Sequence, residues 1–150
     1  MKFWLVSEGS SDVPLITQAL KNCEAALGKT IELLPQAPVT DATTGNAERF
    51  GYPEVLDWCR TNGSGRQLMA TKYRYMMGGA TALIVHLDAD IAENLSVNGQ
   101  QFQAEGDRVT WVRAALLEAL GALAAELKII LAVPKMQIET WILATYTLAE

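Results

Sequence analysis

The chain has 150 residues, half of them hydrophobic, and a formal net charge of −5. That is the length of one domain with enough apolar material for a core. No apolar run approaches the ~20 residues of a membrane helix, and no basic lead followed by a cleavable hydrophobic segment opens the chain, so a cytoplasmic protein without a signal peptide is expected. The acidic balance counts against a uniformly basic nucleic-acid-binding surface, though clustered acids that hold a cation still allow a local basic one.

Lys2 to Ser7 read as a short buried strand. Ser10 or Ser11 can cap a helix whose first turn suits Pro14. Val13, Ile16, Leu20, Cys23 and Leu27 keep helical spacing until Gly28 stops it. Thr30 to Leu34 read as a second strand, ended by Pro35 and Pro38, and Thr40 to Tyr52 as a loop. A helix is expected over Pro53 to Arg60, broken at Asn62-Gly63-Ser64-Gly65, and another over Arg66 to Met77. Ala80 to Leu87 is the strongest strand, a near-continuous apolar run suited to a buried parallel position. Ile91 to Gly106 is polar and loop-like. Asp107 is expected to cap a helix from Val109 to about Leu127, followed by a strand over Lys128 to Val133. Pro134 to Gln137 turn, and a helix beginning at Ile138 is still running at Glu150.

This alternation predicts an α/β fold with a largely parallel central sheet, flanked by helices on both faces, in a single domain over residues 1–150. Cys23 and Cys59 are the only cysteines, too few for a disulfide framework or a thiolate metal site, and Cys23 reads as a small buried hydrophobe.

The positions of the carboxylates are the informative feature. Glu8 follows the first strand, with Gly9 and then Asp12 after it; Asp88 and Asp90 end the strongest strand; Glu139 follows the last one. Ligands bind at the carboxyl ends of strands in an open parallel sheet, so these acids are expected to meet at one edge. Gathered carboxylates raise one another's pKa and are costly without a cation. Their hard oxygens suit Mg²⁺ or Mn²⁺, and Ca²⁺, better than zinc. Such an ion polarises phosphate and activates water, with Lys135 or the Lys72 and Arg74 pair as phosphate contacts.

Ser7-Glu8-Gly9-Ser10-Ser11-Asp12 resembles the first toprim motif, and His86-Leu87-Asp88-Ala89-Asp90 resembles the toprim Asp-x-Asp motif. Val133-Pro134-Lys135-Met136-Gln137-Ile138-Glu139-Thr140-Trp141 is similar to a Pro-x(n)-Ile-Glu-x-Trp segment of a toprim-related family found near phage-defence systems. The likeness spans Lys2 to Ala144 and implies a toprim-like (Rossmann-like) fold. It implies Glu8 as the proton-transfer or metal residue and Asp88 and Asp90 as metal residues. Asp12 resembles the metal-binding acid of the overcoming-lysogenization-defect nuclease branch. A divalent-metal-dependent nuclease or other phosphoryl-transfer enzyme acting on DNA or RNA, in phage defence or DNA repair, is therefore expected, with a homodimer or a partner defence ATPase as associates. No topoisomerase tyrosine is identifiable, and Ser7 stands where many relatives carry a more apolar residue.

Plainer readings stand beside these. Glu8 to Asp12 also make an ordinary strand-to-helix turn, Asp88 and Asp90 a solvated strand end, and Glu139 an acid of a helix N-terminus. His86, in a buried strand, reads as a hydrogen-bonded core residue. The interleaved bases and aromatics from Arg66 to Tyr75 suit nucleic acid but also an exposed amphipathic helix. The functional alternatives are a non-catalytic toprim-like interaction module, a nucleotide-sugar transferase, or a phosphatase using the Asp-x-Asp pair.

Overall fold

A computed structural model describes residues 1–38, 50–63 and 80–135. Its centre is a four-stranded sheet of β1 (Lys2–Val6), β2 (Glu32–Ala37), β3 (Ala80–His86) and β6 (Ile129–Ala132), in the order β2-β1-β3-β6. All its pairings are parallel, so the expected α/β architecture holds.

Strands covered on both faces must be apolar on both faces, and successive side chains point to opposite sides. Phe3 and Leu5 of β1, with Ala82 and Ile84 of β3, face α1 (Asp12–Asn22) and pack with its Ile16. Trp4 and Val6, with Leu83, Val85 and Leu87, face the other way. They meet Val55, Leu56 and Cys59 of α3 (Tyr52–Gly63) and Val112, Leu116 and Leu120 of α4 (Arg108–Leu120). Burying such side chains contributes about 1.5–3 kcal/mol each, which locks the sheet between the two helical layers.

Several boundaries differ from expectation, each for a physical reason. The first helix ends at Asn22, and a separate turn, α2 (Glu24–Leu27), follows before left-handed Gly28. Cys23 at this junction is exposed rather than buried, whereas Cys59 is buried and its thiol is pushed up to about 12 by burial. The second strand runs on through Pro35 to Ala37, which is permissible because β2 is an edge strand and needs fewer donors. Ala89–Asn94 forms a 3₁₀ helix, and β4 (Ser96–Val97) pairs antiparallel with β5 (Gln100–Gln101) where a loop is expected. Asn98 and Gly99 join them, both at positive φ, as Asn-Gly favours in a two-residue hairpin turn.

The helix expected to reach about Leu127 stops at Leu120. Gly121 lies at φ 48°, and α5 (Leu123–Glu126) resumes beyond it. This break meets the end of α3: a Cβ on Gly63 would lie 2.3 Å from the Leu120 carbonyl oxygen. Only a glycine lets the two helices close at that point. Among the described residues, no helix is long and apolar enough to cross a membrane.

Candidate active site

The chain leaves β1 through α1 and α2 to reach β2 on one side, then returns through α3 to β3 on the other. β1 and β3 are therefore neighbours at the point where the winding reverses, the crevice where open α/β sheets bind ligands. Ser7 and Glu8 continue β1 into it, and Leu87 and Asp88 continue β3.

Local hydrogen bonds shape the first segment. Ser7, fully buried, donates its N–H to the Ala37 carbonyl at 3.0 Å and its hydroxyl to the Gly9 carbonyl at 3.2 Å. The Glu8 carbonyl accepts the Gly51 N–H at 2.7 Å, which ties the segment to the entry of α3. Asp12 opens α1, and its Oδ2 accepts the Gly9 N–H at 2.8 Å. The plain turn reading of this segment is thus realised, with an acid held inside it.

On the β3 side, Asp88 is followed directly by the 3₁₀ helix, which carries Asp90. The Ala89 N–H donates to the Pro134 carbonyl at 3.0 Å. Arg108, at the start of α4, donates to the Asp90 carbonyl at 3.2 Å and pairs with Glu93. The backbone under both aspartates is therefore tied to β6 and α4. Asp90 is exposed, Asp88 and Glu8 are intermediate, and Asp12 is buried.

Asp12, Asp88 and Asp90 all lie within reach of the Glu8 charge. Burial pushes the Glu8 carboxyl above its usual range, and Asp88, Asp90 and Asp12 push it further, with His86 opposing. Asp12 goes the other way. Burial alone would raise it, but the His86 imidazole and the N–H groups of Gly9 and Glu8 together hold it below the usual carboxylate range. Among the described residues, no three acidic, histidine or cysteine side chains stand close enough to enclose one ion as placed.

The remaining candidates sit differently. Lys135 follows β6 and is exposed at the same sheet edge. It is near enough to help the Thr110 hydroxyl, the larger influence, hold Asp107 below its usual range. Glu139, Lys72 and Arg74 lie outside the described residues. An open depression of about 730 Å³ lies along α3, lined by Phe50, Tyr52, Arg60 and Asn94 among others, but by none of the four acids.

His86 is what sequence reasoning undervalued. The residue is 2 % exposed, as the expected core position requires, but its ring lies between two carboxylates. Its Nδ1 lies 3.5 Å from Asp12 Oδ2 and its Nε2 lies 3.5 Å from Asp88 Oδ1. The signal was available in the alternation: His86 shares the α1-facing parity of Ala82 and Ile84, so its ring had to point toward Asp12.

Comparison of the chain with protein-family profiles, with curated proteins and with solved structures found no match.

Proposed function

We propose that this chain is a Mg²⁺- or Mn²⁺-dependent phosphodiester hydrolase of the toprim type, acting on nucleic acid in phage defence or DNA repair. The gathering of Asp12, Asp88 and Asp90 around Glu8 at the winding reversal carries the reading, because these three carboxylates add to the effect of burial in raising the proton affinity of Glu8. Such mutual repulsion is the condition a cation relieves. The donor set fits a hard divalent ion in chemistry, all carboxylate oxygens. Asp88, Asp90 and Asp12 would hold it, and when bound it would polarise a phosphodiester and lower the pKa of water.

The chain's own residues supply the rest. Glu8 is half-exposed at the rim and its carboxyl takes up a proton more readily than usual, which suits an acid or base working nearer neutral pH. Lys135 offers a positive charge to a substrate phosphate on the β6 side. A net charge of −5 leaves this interface local rather than a broad basic surface.

A second reading, a non-catalytic partner-binding module, draws on the absence of three enclosing side chains among the described residues. One experiment separates the two. The purified protein should nick or degrade DNA or RNA with Mg²⁺ or Mn²⁺, with Asp88→Ala falling to background and Glu8→Gln losing about 10²–10⁴-fold. Calorimetry showing that neither ion binds would remove the hydrolase reading and leave the module.

A further inference from the structure

We propose that His86 is the positioning residue of this site, a clasp that fixes the Asp12 and Asp88 carboxylates relative to each other across the seam between β1 and β3. The inference rests on the reading of these acids as the functional site and assigns a role within it.

Three observations carry it. His86 is the chain's only histidine, and its side chain is 3 % exposed. Its two nitrogens face one carboxylate oxygen each, at 3.5 Å, on two different elements: Asp12 at the start of α1 and Asp88 just beyond β3. Neither nitrogen has a well-formed hydrogen bond, which for a buried polar group is costly. An imidazole always carries a proton on at least one nitrogen, and carboxylates only accept. The ring can therefore donate to one of these acids when neutral and to both when doubly protonated, and it has no apolar reason to lie between them.

The geometry divides each carboxylate. Asp12 Oδ2 is turned toward His86 and the Gly9 N–H, and Asp88 Oδ1 is turned toward His86. The ring thus sets how far apart the two acids stand. Residues that orient metal-binding carboxylates from behind typically change metal affinity about 10–100-fold when removed.

A single histidine makes the test clean. Long-range ¹H–¹⁵N correlation spectra of the imidazole report both ring nitrogens of one residue. Asp12→Ala is expected to move the Nδ1 resonance most, Asp88→Ala the Nε2 resonance most, and titrated Mg²⁺ to move both. Mg²⁺ affinity by calorimetry should fall about 10–100-fold in His86→Leu, with partial recovery in His86→Asn, which keeps a donor near Nδ1. Ring nitrogens that ignore the loss of the acid they face overturn the clasp, as does a folded His86→Leu with unchanged Mg²⁺ affinity. Nitrogens that respond to both acids but not to Mg²⁺ or Mn²⁺ support the clasp and overturn the metal reading instead.

Discussion

Glu8 and Asp12 share one short segment yet are pushed in opposite directions, and the difference is one of neighbours. Glu8 faces acids, whereas Asp12 is met by a histidine ring and backbone N–H groups. The sign for Glu8 follows from linkage. Its folded pKa lies above the unfolded one, so ionised Glu8 costs stability above the folded pKa. That cost is relieved as pH falls through the folded pKa, and it vanishes once both states are protonated. Glu8→Gln should therefore raise Tm at neutral pH by about 2 °C, a weak half-exposed effect, and by nothing below the usual glutamate range. Under the proposed hydrolase reading the same variant loses activity, so stability and catalysis would move in opposite directions; a melting series from pH 4 to 8 beside the nuclease assay, roughly spanning the range of carboxyl and histidine titration, checks both. Asp12 has the reverse sign: its stabilisation is present above the ordinary aspartate range and lost as pH falls through its depressed folded value.

Between elements, the junction of α3 and α4 leaves no room for a Cβ at Gly63. Gly63→Ala forces a methyl into the Leu120 carbonyl, and overpacking of this kind costs about 1–3 kcal/mol. Denaturant unfolding should show a lower midpoint, while metal affinity at the proposed site, near the opposite ends of the same helices, should be unchanged. At the hairpin, Gly99→Ala places a side chain at φ 75° with open space around it, so strain alone acts, about 1–2 kcal/mol. The strands and the acid-bearing turns were legible because apolar runs and Gly or Pro punctuation are local signals. The α3–α4 contact was not, because a glycine's meaning there depends on Leu120, far along the chain. The Asn98-Gly99 turn was legible in principle and hidden by the polarity of its flanks. His86 fell between: its strand was plain, but its partner lies on another element.

For the whole molecule, the site belongs to the winding rather than to any one segment. A cation that binds only the folded chain should raise stability by mass action, about 2.7 kcal/mol at a hundredfold excess over Kd. In the proposed site a proton on Glu8 removes a negative charge beside the ion, so the gain in Tm with Mn²⁺ should shrink as pH falls through the raised Glu8 pKa; scanning calorimetry with and without Mn²⁺ at several pH values measures it. The acidic edge depends on the register in which Lys2 pairs with Ala80 and Val6 with Val85, residues far apart in the sequence. Anything that grips both sides of that seam also staples the central pair of strands. Bound metal should then slow amide hydrogen exchange along β1 and β3 while leaving the Ser96–Gln101 hairpin exchanging as before, so that occupancy of the rim is written into the backbone protection of the sheet.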